Sequence, residues 1–500
     1  MTKFNYKLIS YIVGLLLIFN ATAILLTTFV SYIQNDGFFT NILSSSIVCF
    51  VVGLLIMFFS KGPSKVINRR DGYLIVIVGW LTMIISGTLP YIFTDTINNV
   101  PDLIFETMSG YTTTGSTIIS DVESLPKSII FWRSMTHWLG GMGIIVLAIA
   151  ILPLLGIGGM QLFSAEAPGS GISGDKIHPR ISNTAKRLWL IYIFLTLLET
   201  LLLKFAGMSF FDAINHAMSN IATGGFSTKN DSLSFWNSMP LVQYIIIFFM
   251  ILAGTNFLLI YLSLIGKFKK LFFNTEFIWY LGSICFFVLI TALILNSSID
   301  LNASNFKHPQ VLGQLESSFR HALFQVVAII TTTGFVSGDF AGWSPFLTML
   351  FFALMFFGAS SGSTSGGIKI SRHLILLKNG FLEFKRSLHP NAVIPLRYNH
   401  SVVKKEVVVN ILAFFILYLI LFIVGAVVLS TQGLDFISSI GGSAASIGNV
   451  GPALGSIGPS FNYEHITDFA KIWCSFLMLV GRLELFTFLI IFTPYFWRNL

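Results

Sequence analysis

Ten runs of apolar residues, each long enough to cross a lipid bilayer, constrain this chain more than any other feature. A bilayer core takes about 20 apolar residues per helix, and such runs lie near 8–30, 41–60, 73–93, 131–155, 188–206, 240–266, 277–296, 345–370, 406–430 and 469–497. Of the 500 residues, 54% are hydrophobic and 10% charged, where soluble domains carry roughly 25% charged. A water-exposed surface of this size cannot be covered with so few charges. The net charge of +8 does not point to nucleic acid as a partner, because the basic residues cluster in short loops between apolar runs. Cys49, Cys285 and Cys474 all fall inside apolar runs, which predicts buried packing positions and no disulfide or CxxC metal framework. The first run continues past Ala21-Thr22-Ala23 to Val30, too long for a signal-peptide core, and predicts an uncleaved helix.

Lys and Arg set the orientation. With a cytoplasmic N-terminus, 21 of the 30 basic residues fall in inner loops or termini, among them Lys61, Lys65, Arg69, Arg70, Lys176, Arg180, Lys186 and Arg187. Seven lie at the outer side (Lys127, Arg133, Lys204, Lys229, Lys307, Arg320, Lys471) and two, Lys369 and Arg482, fall within runs. This bias predicts both ends inside. Between the runs lie shorter apolar segments near 101–111, 211–221, 319–330 and 435–445. They are too short to cross and predict re-entrant helices dipping in from the outer face.

Each short segment ends in small and hydroxyl-bearing residues around a glycine: TTTGST, ATGGFST, TTTGFVS and ASIGNVG. Aligning Gly115, Gly225, Gly334 and Gly448 gives separations of 110, 109 and 114 residues. Two positions earlier stand Thr113, Thr223, Thr332 and Ser446; thirteen earlier stand Asp102, Asp212, His321 and Asp435. The expected fold class is therefore an all-α integral membrane protein. Four pseudo-symmetric repeats of span, pore helix, filter strand and span surround one pore, after two extra N-terminal spans. The expected divisions are 1–65 for the extra spans, then 66–160, 161–270, 271–400 and 401–500 for the repeats.

A dehydrated cation needs oxygen ligands in place of water, and backbone carbonyls supply them when extended segments point at a common axis. Glycine admits the positive φ and close approach that this requires. The expected ion-contacting residues are Thr112, Thr113, Thr114 and Gly115; Ala222, Thr223, Gly224 and Gly225; Thr331, Thr332, Thr333 and Gly334; and Ser446, Ile447, Gly448 and Asn449. The carboxylates at the starting ends of the short helices suit the positive dipole end, and the carbonyl ends face the ion path. His321 departs from this, so the third helix starts differently or uses a neutral group. Glu106 and His216, inside short helices, read as satisfied buried groups.

The run beginning near Phe346 is interrupted by Gly358, Ala359, Ser360, Ser361, Gly362, Ser363, Thr364, Ser365, Gly366 and Gly367. So many Gly and hydroxyl residues make poor helix, and a loop just below the glycines would obstruct a pore; a kinked helix is the alternative. Arg482, a charge within a run, is expected to contact that loop, repel cations or pair with Glu484. Lys369 is expected at the inner boundary. Asp121, Glu123, Asp231, Asp339 and Glu464 are outer acids able to concentrate cations. Gly140-Gly141-Met142-Gly143 lies within a span, so it fails the context test for dinucleotide binding.

At these residues the sequence resembles the Trk/Ktr/HKT superfamily of potassium transporters, and within it the TrkH-like membrane subunits. The likeness covers the four glycine segments, the Gly/Ser-rich interruption, the GRLELFTF run from Gly481 and the two additional N-terminal spans. It implies a bacterial inner-membrane potassium uptake protein, with potassium as the transported and filter-bound ion and no organic cofactor. It also implies a homodimer with membrane lipid around it, and regulation by a cytosolic ring of nucleotide-binding, RCK-type subunits such as TrkA. By the same resemblance residues 358–367 are the intramembrane gating loop and Arg482 the arginine facing it. Relatives with Ser at the position of Gly115 favour sodium, so Gly115 speaks for potassium. Passive flux and symport with protons or sodium both stay open. A carrier with inverted repeats is less consistent with four repeats of one orientation, and a membrane enzyme would need clustered His, Asp or Glu that the chain does not offer.

Overall fold

A computed structural model describes residues 4–62, 68–143, 181–298, 309–399 and 401–497. It is mostly helical. Among the described residues the only strands are Arg397–Tyr398 and Ser401–Val402, paired antiparallel. Among the described residues, six helices are long and apolar enough to cross a membrane, or up to eight when two bent pairs are each counted as one span.

The chain opens with an antiparallel hairpin of α1 (Tyr6–Gln34) and α2 (Phe39–Phe59). Its helices approach closely at two glycines: a Cβ on Gly53 would lie 2.9 Å from the Gly14 carbonyl oxygen, and one on Gly14 2.8 Å from that of Gly53. In lipid, where apolar surfaces gain nothing by leaving the solvent, such small-residue contacts hold helices together. Ser46 Oγ adds a bond to Ala21 O at 2.9 Å.

Next come a long helix, α3 (Arg69–Gly87), a short one, α4 (Val100–Tyr111), a glycine turn, and a helix of half length, α5 (Lys127–Gly141). The same order returns with α6 (Ile181–Phe205), α7 (Phe210–Ile221) and α8 (Pro240–Ala253). After α9 (Phe257–Leu264) it returns with α10 (Thr275–Ser298), α11 (Gln314–Ile330) and α12 (Pro345–Leu354). Following α13 (Ile370–Leu388) it comes a fourth time, as α14 (Lys405–Thr431), α15 (Phe436–Gly448) and α16 (Asp468–Arg482), with α17 (Phe486–Leu489) behind. The long helices turn large apolar side chains outward. On α14, Leu412, Ile416, Leu419 and Ile423 are exposed, as a lipid-facing surface requires. Phe4 packs on Phe496 with ring centroids 5.8 Å apart, so the first and last described stretches lie together.

Several expectations change at this level. The runs 240–266 and 469–497 are not single helices. They bend by 104° between α8 and α9 and by 109° after α16. Hydropathy is blind to such breaks, because Gly254-Thr255-Asn256 and Leu483-Glu484-Leu485 are too short to interrupt a 20-residue apolar average. The second half of run 131–155 lies outside the described residues, as do Lys65, Lys176, Arg180 and Lys307. Helix α11 starts at Gln314, seven positions before His321, which explains why His321 does not act as an end group. Cys49 and Cys474 are buried as expected, whereas Cys285 is exposed on α10.

The hairpin crossing gives a direct test. Gly53→Ala, which forces a methyl against the α1 backbone, is expected to lower the thermal unfolding temperature of detergent-purified protein. Gly380→Ala on α13, where a Cβ meets nothing within 4 Å, should leave it unchanged or raise it slightly through helix propensity.

Candidate functional site

Each short helix ends in the same backbone device. The residue two before the filter glycine adopts left-handed geometry: Thr113 (φ 54), Thr223 (φ 55), Thr332 (φ 54) and Asn449 (φ 52). The next amide turns back to a carbonyl five residues earlier, Thr114 to Ser109 at 2.9 Å, Gly224 to Ser219 at 2.8 Å, Thr333 to Ala328 at 2.8 Å and Val450 to Ala445 at 2.9 Å. This closes the helix end in the manner of a Schellman cap. A glycine with positive φ follows: Gly115 (φ 84), Gly225 (φ 85), Gly334 (φ 73) and Gly451 (φ 99).

The four glycines close a ring. A Cβ on Gly115 would overlap the carbonyl oxygen of Gly224; one on Gly225, that of Thr333; one on Gly334, that of Val450; one on Gly451, that of Thr114. Each segment therefore packs against the next, and the fourth against the first. This arrangement corrects the alignment made on sequence. Gly451, not Gly448, stands where Gly115 stands, and the fourth segment is Gly448, Asn449, Val450 and Gly451. Ser446 and Ile447 belong to the last turn of α15. The signal available in the sequence was Asn449, since Asn is one of the few residues other than Gly that tolerate left-handed backbone. The segments are also turns rather than regular strands.

Side chains from the short helices pin the outgoing chain. Glu106, nine before its glycine, accepts from Thr117 Oγ1 at 3.0 Å and Ile118 N at 3.1 Å. His216 Nε2 bonds Ser227 Oγ at 3.0 Å. Gln325 Nε2 donates to Phe335 O at 3.2 Å. Glu106 is also paired with Arg133 at 2.8 Å, both fully buried. Arg133, read from sequence only as an outer residue, thus ties α5 to the first glycine turn. Asp102 pairs with Lys471 of α16 at 2.6 Å.

A cavity of about 250 Å³ opens above the ring, lined by Gly115, Gly225, Gly334 and Gly451 together with Arg133 and Asp231. Of the five outer acids, Asp231 alone lines it. Glu123 pairs with Lys229 at 2.8 Å, and Asp339 accepts from Ser460 Oγ at 2.8 Å. Asn230, donating to Asp121 at 2.9 Å, holds that carboxyl below the usual carboxylate range, so it stays ionised at the rim.

Below the ring runs the loop between α12 and α13. Gly366 N donates to Thr332 Oγ1 at 2.6 Å, and Thr364 Oγ1 to Ile221 O at 3.0 Å, so the loop is bonded to the third segment and to the end of α7 that leads into the second. The break between α8 and α9 meets it: Ser360 N donates to Gly254 O at 3.0 Å, and Asn256 Nδ2 to Ser361 O at 2.6 Å. Each break supplies partners for backbone groups the other frees, which is the condition for irregular chain at membrane depth. Arg482 donates from Nη1 to Thr364 O at 2.8 Å and from Nη2 to Gly140 O at 2.9 Å. It touches the loop, and Glu484 pairs instead with Arg372. Lys369 is buried and donates to Ser365 O and Oγ. Gly358 N bonds Ile368 O at 2.8 Å, closing the base of the loop.

The ring register has a measurable consequence. Gly451→Ala, at a left-handed φ and against a backbone oxygen that cannot move aside, is expected to lower the unfolding temperature more than Gly448→Ala, whose Cβ would meet Met355 O at 3.0 Å. Equal losses would favour the alignment on Gly448.

Residues 39–498 match the sequence model of the TrkH family, described as cation transport protein. The chain is 38% identical to the Trk system potassium uptake protein TrkH of Salmonella typhimurium over 497 residues, 99% of this chain and 100% of that one. To the Trk system potassium uptake protein TrkG of Escherichia coli it is 33% identical over 457 residues, 91% and 90% of the two chains. The crystal structure of the potassium transporter TrkH from Vibrio parahaemolyticus superposes with a TM-score of 0.86 at 35% identity, covering 99% of this chain and 100% of that one. The four glycine turns, the interrupted helix and the N-terminal hairpin thus stand in a chain that matches these proteins nearly end to end, and it belongs to the TrkH family of cation transport proteins.

Proposed function

We propose that this chain takes up potassium across a bacterial inner membrane, through a pore whose filter is made of carbonyl oxygens from the four glycine segments. The observation that carries this reading is the cyclic contact of Gly115, Gly225, Gly334 and Gly451 with one another's neighbouring carbonyls. Four backbones brought that close around one centre leave their oxygens as the ligands available to an ion that has shed its water. The ion-contacting residues in this reading are Thr112, Thr113, Thr114 and Gly115, then Ala222, Thr223, Gly224 and Gly225. Thr331, Thr332, Thr333 and Gly334 follow, and the fourth set is Gly448, Asn449, Val450 and Gly451. The carbonyl ends of α4, α7, α11 and α15 each carry roughly half a negative charge and lower the cost of a cation beside them. The names of the potassium-transporting relatives support potassium as the ion.

Residues 358–367 act in this reading as the gate. Their bonds to Thr332 and Ile221 hold them beneath the ring, and Arg482 anchors the Thr364 carbonyl from the opposite side. Opening requires those bonds to break together, which a cytosolic ring of RCK-type subunits, bound to the inner face of a homodimer, would drive through α13. Both termini lie on the cytoplasmic side, as the distribution of Lys and Arg favours.

Reconstituted protein is expected to take up potassium and rubidium well and sodium poorly, and Gly115→Ser to reduce that discrimination. Equal permeation of potassium and sodium through the unmodified protein would refute the filter. Removing Ser360–Gly366 should raise basal flux in a folded variant; flux that stays level or falls counts against the gate.

A further inference from the structure

The fourfold pattern fails at one position beside the filter. The residue four before each filter glycine is Ile221, Ile330 and Ile447 in three repeats, all buried apolar side chains. In the first repeat it is Tyr111, the last residue of α4 and the neighbour of Thr112. Its ring is also buried, and its hydroxyl reaches out of the repeat. The Tyr111 hydroxyl donates to Asn20 Oδ1 at 2.7 Å, and Asn20 Nδ2 donates to Ser86 Oγ at 2.7 Å.

Asn20 stands in the middle of α1, a predominantly apolar helix, and is fully buried. A carboxamide there is costly unless both its ends are satisfied, and they are, by one residue from α3 and one from the filter helix. Room for the Tyr111 ring and carbonyl exists because of two glycines. A Cβ on Gly87 would overlap the ring, and a Cβ on Gly140 would overlap the Tyr111 carbonyl oxygen. The Gly140 carbonyl in turn accepts from Arg482. Filter segment one is therefore gripped from behind by the N-terminal hairpin.

We propose that Asn20, acting through Tyr111, is a positioning residue for ion discrimination: the hairpin holds the first filter segment at the distance that suits potassium. This rests on the carbonyl-filter reading above. With the grip removed, Thr112 to Gly115 are free to close on a smaller ion, and sodium passes more readily. Among the described residues, the hairpin's other hydrogen bonds to the rest of the chain lie away from the filter, one of them from Asn41 Nδ2 to Phe93 O at 2.7 Å. Asp36, in the loop between α1 and α2, accepts from Ser128 N at 2.9 Å at the start of α5, and Asn5 N donates to Asp71 Oδ1 at 3.1 Å.

The test is rubidium and sodium uptake by reconstituted Asn20→Leu, Tyr111→Phe, their double variant and Asp36→Ala, with Gly115→Ser as the filter control. Asn20→Leu and Tyr111→Phe should each reduce the rubidium-to-sodium ratio at least threefold. The double variant should be no worse than Asn20→Leu alone, since both substitutions break the same Tyr111–Asn20 bond. Asp36→Ala, which loosens the same hairpin elsewhere, should keep the ratio while lowering thermal stability. If Asn20→Leu does not fold, Tyr111→Phe, which keeps the ring, decides alone. An unchanged ratio in the folded variants beside a reduced ratio in Gly115→Ser overturns the proposal and leaves the filter standing. An unchanged ratio in all of them overturns both. A loss in Asp36→Ala equal to that in Asn20→Leu also overturns it, since general loosening of the hairpin would then suffice.

Discussion

Backbone laid directly against backbone at four glycines is the constraint on which the remainder of this structure depends. No side chain fits between Gly115 and the Gly224 carbonyl, or at the three equivalent contacts. For four chain segments to approach so closely, the helices that deliver them must end at one level and turn in one way. The left-handed residue at Thr113, Thr223, Thr332 and Asn449 does this in every repeat. It redirects the chain within two residues and satisfies an otherwise free carbonyl. The short helices have 12, 12, 17 and 13 residues, yet all finish with the same cap; α11 is longer at its start, and the extra residue of α15 is Gly448 at its end.

A second constraint follows from the first. Half-length helices α5, α8, α12 and α16 end beside the filter segments. A Cβ on Gly140 would overlap the Tyr111 carbonyl oxygen and one on Gly481 that of Ile447, while one on Gly254 would lie 2.9 Å from the Thr331 side chain and one on Gly448 3.0 Å from the Met355 carbonyl oxygen. The last carbonyls of these helices have no partner within the helix and need one from elsewhere. The loop of residues 358–367 and the break at Gly254-Thr255-Asn256 supply each other's missing partners, and Arg482 covers two more carbonyls, Thr364 and Gly140. Beyond Arg482 the chain turns by 109° through Glu484 and Leu485, both with φ of 54°. Left-handed backbone at non-glycine residues costs of order 1–3 kcal/mol each and persists only where surrounding contacts hold it. Here the Glu484 carboxylate is held by Arg372, which also lies over the Phe414 ring at 4.0 Å.

How much of this was legible depended on the range of the signal. The long apolar helices, the four short ones and the glycine at the centre of three segments are written in composition and local spacing, and they could be placed from residues alone. The fourth segment could not be registered by spacing, because Gly448 and Gly451 both offer a glycine and Ser446 imitates the hydroxyl found elsewhere. What separates them is backbone geometry: Gly448 is the last residue of a helix, whereas Gly451 has φ 99 and faces Thr114. The role of Arg482 was open between the loop, the ion and Glu484 until the position of Arg372 removed Glu484 from the choice.

The sequence by itself determined the membrane class, the number of glycine segments and the presence of a weak point after Phe357. These follow from hydropathy and backbone propensity, which act over a few residues at a time. Tertiary structure alone decided that the segments meet in a ring, that two further helices break, and that Asn20 and Tyr111, 91 positions apart, share a hydrogen bond behind the filter. Contacts between distant segments depend on how helices cross, and in lipid that crossing is set by close fit among small residues and by single polar pairs, neither of which leaves a periodic trace in the chain.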